Sequence, residues 1–118
     1  MITGFEKYTH DITVKEREII PHVCSIILRS NSNFITNNEI CERLSDMNLK
    51  TTQPRIRKMI HLLHSGGHLK NLVATSDGYK LASSEVELEN YIDSLKGRIE
   101  AIKIRLRSSQ RDLINWSN

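Results

Sequence analysis

The stretch that decides the fold is Thr51 to Ser65, TTQPRIRKMIHLLHS. Ile56, Met59, Ile60 and Leu63 recur at i, i+3, i+4 and i+7, which marks one apolar stripe of a helix. Thr52 precedes the run as an N-cap whose oxygen can accept from an orphan N–H of the first turn. Pro54 sits just inside that start, where a missing N–H costs little. Gly66-Gly67 ends the helix. On a wheel of about 100° per residue centred on the stripe, Lys58, His61 and Ser65 point away, and Arg55 and Arg57 lie on the two flanks. The helix therefore has its back in a core and a cationic front.

Upstream, Thr13 with Glu16 forms a capping box that opens a first helix, and Ile19, Ile20, Val23, Ile26 and Ile27 give it a broad buried stripe. Pro21 falls inside this run and is expected to kink the helix or to mark its true start. Residues 1–12 carry no period and read as a loosely docked arm, and Asn31-Ser32-Asn33 reads as a loop. Thr36 with Glu39 is a second capping box, starting a helix from about Asn37 to Asp46 that buries Ile40, Cys41 and Leu44. Asn48 suits a left-handed exit. Two short helices joined by a tight turn, the second cationic, make a helix-turn-helix arrangement.

Downstream, Leu69, Leu72, Val73 and Ala74 read as one strand and Tyr79, Lys80 and Leu81 as its partner. Asp77-Gly78 between them is a strong hairpin signal, because Gly tolerates the positive φ such turns need. Ser84 with Glu87 is a third capping box, opening a final helix from Glu85 to about Asn115, roughly 46 Å long at 1.5 Å per residue. Leu88, Ile92, Leu95, Ile99, Ile102, Leu106 and Leu113 follow a 4-3 alternation that only Ser109 breaks and Trp116 continues, a coiled-coil seam. Gly97 is its weak point, open to a kink or a fold-back. The expected fold class is mainly α with a small β-hairpin: an arm at 1–12, a winged helix-turn-helix domain at 13–83, and an oligomerising coiled-coil-like helix at 84–118.

Composition narrows the function. The chain has 118 residues and a net charge of +3, with 38% hydrophobic and 5% aromatic residues, enough for one small helical core. The excess charge is local: residues 50–80 hold Lys50, Arg55, Arg57, Lys58, Lys70 and Lys80 against Asp77 alone, while 1–35 and 84–118 are balanced. Such a patch suggests an anionic partner meeting one face. It spans a helix and a hairpin rather than one amphipathic stripe, so a membrane surface is not the expected partner. No apolar run reaches a membrane span, MITGFEKYTHD lacks a signal core, and a cytoplasmic location with Cys24 and Cys41 as buried free thiols is expected.

The pattern ITNNEICERL, then RIRKMIHLLHSGGHL, then VATSDGYKL resembles the winged helix-turn-helix class over roughly residues 13–82. Within that class it is similar to the DNA-binding domain of biotin-operon repressors and to small phage and mobile-element winged-helix proteins with a long C-terminal helix. The Thr36 capping box, the Arg57-Lys58 pair and the Gly78-Tyr79 step carry the likeness. The resemblance implies DNA binding through the third helix and the wing, though some relatives use the fold for protein contacts alone. Biotin sensing is not carried over.

The expected function is sequence-dependent binding of double-stranded DNA with helix 52–65 and wing 69–82, as a phage or mobile-element transcriptional regulator or replication accessory factor. The alternative is a protein-interaction adaptor. Thr51, Thr52, Gln53, Arg55, Arg57, Lys58 and His61 are candidates on the helix, and Lys70, Thr75 and Lys80 on the wing. Arg suits guanine and Gln suits adenine in bidentate readout, whereas the bland reading is a solvated face. His61, His64 and His68 are spaced like metal ligands but lack a paired motif, so neither a metal nor another cofactor is expected. No nucleophile elbow or phosphate loop is present, and no enzyme activity or small-molecule ligand is expected. Leu88, Ile92, Leu95, Ile99, Ile102, Leu106 and Leu113 are the expected homodimer interface.

Overall fold

The computed structural model describes residues 11–30 and 33–117, so the arm before Asp11 and the loop residues Asn31 and Ser32 lie outside it. The chain is mainly helical and divides after Ser83 into two compact units. In the first unit, α1 (Val14–Arg29), α2 (Asn37–Asp46) and α3 (Gln53–Ser65) precede an antiparallel hairpin of β1 (Leu72–Thr75) and β2 (Gly78–Leu81). The second unit holds α4 (Glu85–Ile114).

The expected caps form at α1 and α2. Thr13 and Glu16 close a reciprocal capping box, as do Thr36 and Glu39, so side chains satisfy orphan N–H groups at each start. Pro21 does not start the helix: α1 begins seven residues earlier and runs through it, with the proline ring exposed. At the end of α2, Asn48 takes a φ of 60° and Leu49 N–H donates back to Leu44 O at 2.9 Å. Thr52 departs from expectation. It occupies the N-cap of α3 without a side-chain capping hydrogen bond, so the start rests on geometry and Pro54. The far end is a Schellman motif, in which Gly67 (φ 80°) donates to His64 O and His68 donates to Leu63 O at 2.8 Å.

The hairpin differs in detail from its sequence reading. Thr75 pairs with Gly78, so the two-residue turn is Ser76-Asp77, one position earlier than expected, and Asp77 N–H donates to Thr75 Oγ1. Gly78 is instead the first residue of β2, at φ 120°. Its need for glycine comes from Ile35, whose carbonyl oxygen would lie 2.4 Å from an added Cβ. Ile35 and Tyr79 exchange two backbone hydrogen bonds of 2.8 Å, which fasten the segment before α2 to the hairpin. Leu69 falls outside β1 and is buried ahead of it.

One core gathers the three helices and the hairpin. Ile19, Val23, Ile26 and Ile27 of α1 meet Ile40 and Leu44 of α2, and Ile56, Met59, Ile60 and Leu63 of α3, with Ile35, Leu69 and Leu72 closing the end. Cys24 and Cys41 are half-buried free thiols at its margin rather than interior residues. In the second unit, α4 is one uninterrupted helix through Gly97, capped by Ser84 Oγ accepting from Glu87 N–H. Its 30 residues bury no side chain. Among the described residues, no helix is long and apolar enough to cross a membrane.

Candidate nucleic-acid interface

The fold sets α3 with its stripe inward and its opposite face outward. Gln53, Arg57, His61 and His64 recur along that outer face, all exposed, with Lys58 half-exposed beside them. No acidic residue lies within α3 to offset the charges of Arg57 and Lys58. Thr51 is half-buried and Thr52 is exposed at the entry to the helix. Leu62, 41% exposed, is the apolar member of the outer surface.

Arg55 does not belong to this face. The wheel places it opposite Arg57 as a matching flank, yet it is 8% exposed. Its Nε and Nη2 donate to Glu16 Oε2 and Oε1, both at 2.6 Å, and Nη2 also donates to Asp11 O at 3.0 Å. The two flanks are unequal because the N-terminus of α1 lies against only one of them. Glu16 thereby serves two neighbours at once, since Oε1 also accepts from Thr13 N–H in the capping box. A fork-to-fork pair of this kind fixes direction as well as distance. The Arg55 hydrogen bonds hold the Glu16 carboxyl down at about 2 despite its burial, and Glu16 in turn raises the Arg55 guanidinium. With Arg55 matched by Glu16, residues 50–80 present Lys50, Arg57, Lys58, Lys70 and Lys80 against Asp77.

On the hairpin, Lys70 and Thr75 are exposed, and Ser76 and Asp77 form an exposed tip. Lys80 is half-buried, with Nζ 5.1 Å from the centroid of the Phe34 ring, a cation–π contact that holds the ammonium at the hairpin's side. Phe34 carried no signal in the sequence pattern. It is a single aromatic next to a loop, and only the Ile35–Tyr79 bridge brings it to β2. Glu16 was legible as a cap but not as the partner of a residue 39 positions on.

One other feature lies at the entry to α3. Cys41, Glu42, Ser45, Lys50 and Thr51 line an open depression at the turn between α2 and α3. Burial and the Glu42 charge push the Cys41 thiol up, so it is a poor nucleophile there. Among the described residues, no three His, Cys, Asp or Glu side chains converge as metal ligands. Comparison with protein-family models, curated proteins and solved structures gives no match to this chain.

Proposed function

We propose that the first unit is a winged helix-turn-helix that binds double-stranded DNA in a sequence-dependent way. The observation that carries this reading is the outer face of α3. It holds Gln53, Arg57, Lys58 and His61 on a helix that contains no acid and has its opposite side in the core. A helix anchored in this way fits the major groove, with Gln53 and Arg57 as base readers and Lys58 on phosphate. Lys70, Thr75 and Lys80 on the hairpin supply backbone contacts, which position without specifying. Arg55 acts behind the face, locking the pitch of α3 against α1 through Glu16. The biological role we assign is transcriptional regulation or replication support for a phage or other mobile element.

Fluorescence anisotropy on random-sequence duplex DNA tests the reading. A site with about four phosphate contacts loses roughly two orders of magnitude in affinity between ~50 and ~200 mM salt. Absence of binding at the lower salt overturns the proposal and favours the protein-interaction adaptor.

A further inference from the structure

The second unit carries a surface that the DNA reading does not use. Along α4, Ile99, Ile102 and Leu106 are 51%, 56% and 55% exposed, and Leu113 is 75% exposed. They continue the seam begun by Leu88, Ile92 and Leu95, a stripe that water-soluble helices cover. In heptad terms Ile92, Ile99, Leu106 and Leu113 are a positions, and Leu88, Leu95 and Ile102 are d positions. The flanking e and g positions then hold Lys96, Arg98, Lys103 and Arg105 through the middle of the helix, with acids only towards the ends, at Glu89 and Asp112. Lys103 also contacts Glu100 of its own helix at 3.4 Å, in an exposed pair that holds it weakly.

These edges oppose a second copy. In a parallel in-register pair, Arg98 of each helix meets Lys103 of the other, and no flanking pair is attractive. In an antiparallel pair with Ile99 opposite Ile102, Arg98 faces Arg105 and Lys96 faces Lys103. Sliding that pair by one heptad brings Glu89 beside Lys103 in one direction and Arg98 beside Asp112 in the other. The first still leaves Lys96 against Lys96 and Arg98 against Arg98 and drops Leu113 from the seam, and the second leaves Lys103 against Lys103 and Arg105 against Arg105 and drops Leu88. A helix with aliphatic seam residues and glutamates or aspartates at its edges satisfies both the apolar stripe and all four cations. We infer that α4 docks an acidic amphipathic helix of a different protein, in a heterotypic coiled coil, in preference to a second copy of itself.

The test uses the full chain and two synthetic helices of about four heptads with Ile and Leu on the seam, one with Glu and one with Lys at every flanking position. Sedimentation with anisotropy is expected to give a one-to-one complex with the glutamate peptide, at least about tenfold tighter than with the lysine peptide. The K96E/R98E/K103E/R105E variant is expected to reverse that preference. Ile99→Asn with Ile102→Asn should abolish binding while the first unit melts unchanged, which separates seam docking from attraction to the basic face of α3. Four results overturn the inference: a homodimer that neither peptide displaces, equal affinity for both peptides, charge reversal without effect, or adsorption to vesicles of one part phosphatidylserine in four with no peptide binding. None of these outcomes depends on whether the first unit binds DNA.

Discussion

In the first unit every apolar stripe meets another. The stripes of α1, α2 and α3 converge, and the hairpin closes the end with Leu72 and Tyr79. In the second unit, α4 has an equally regular period and buries none of its residues. The difference lies in chain geometry. Helices of 10 to 16 residues joined by short turns fold back on one another, whereas 30 residues of uninterrupted helix carry their stripe about 45 Å in one direction. Periodicity declares that a face will be covered, and topology decides whether the chain itself can cover it. A second contrast follows from charge. The first unit pairs its interior guanidinium within the fold, and the second carries exposed Lys96, Arg98, Lys103 and Arg105 beside its seam.

The largest expected effect breaks the interior pair. Glu16→Ala leaves Arg55 charged at 8% exposure and removes half of the α1 capping box, so we expect a loss of about 3 kcal/mol and a Tm drop on the order of 10–20 °C. The pH dependence has a defined sign. Glu16 titrates at about 2 in the folded chain against 4.5 ordinarily, so its contribution is complete above pH 4.5 and is lost as pH falls towards 2. Thermal melts of wild type between pH 5 and pH 2.5 should therefore fall more steeply than those of Glu16→Gln. Parallel slopes would show that the pair contributes little.

Next in size is Gly78→Ala. The new Cβ would sit 2.4 Å from Ile35 O in a backbone at φ 120°, so either the bridge to Ile35 opens or β2 twists away. Urea unfolding should show a loss of roughly 2–3 kcal/mol. Retained stability would mean that the Ile35–Tyr79 pairing is dispensable.

The two arginines of α3 then separate stability from binding. Arg57→Ala should leave the melt within about 0.5 kcal/mol, weaken DNA binding several-fold at low salt, and reduce the salt slope by about one. Arg55→Ala should do the reverse, lowering the melt with the slope unchanged. Lys103→Ala on α4 should alter neither, since residues 84–118 carry as many acids as bases and lie outside the α3 face. Equal losses of affinity from Arg57→Ala and Lys103→Ala would mean that general charge, and not the α3 face, holds the DNA.

These tests also mark how far the sequence could be read. Caps and periods are local, so Thr13, Thr36 and the stripes of all four helices were legible, as was the left-handed exit at Asn48. What was hidden depends on contacts between distant residues. A wheel treats Arg55 and Arg57 as equivalents, and nothing within α3 says that Glu16 waits on one side only. The same applies to Gly78, whose glycine signal was read as a turn when its cause is the Ile35 carbonyl from another segment. The apolar seam of α4 was legible as a period, and the fold buries none of its residues.

The smallest effect concerns the other glycine that departs from local preference. Gly97 lies inside α4, where glycine is disfavoured, and an added Cβ would meet nothing within 4 Å. It takes an outer f position, on the side away from the seam. Gly97→Ala should therefore act through helix propensity alone and stabilise α4 by at most about 1 kcal/mol. The gain should show as a higher, sharper melt at 222 nm for α4, with affinity for the glutamate peptide unchanged or slightly raised. Gly78 and Gly97 then answer alanine with opposite signs, because one is pressed against a backbone and the other faces open space. A destabilised Gly97→Ala chain, or one that loses the peptide, would place a close-packed surface on the outer side of α4 and displace the seam as its docking face.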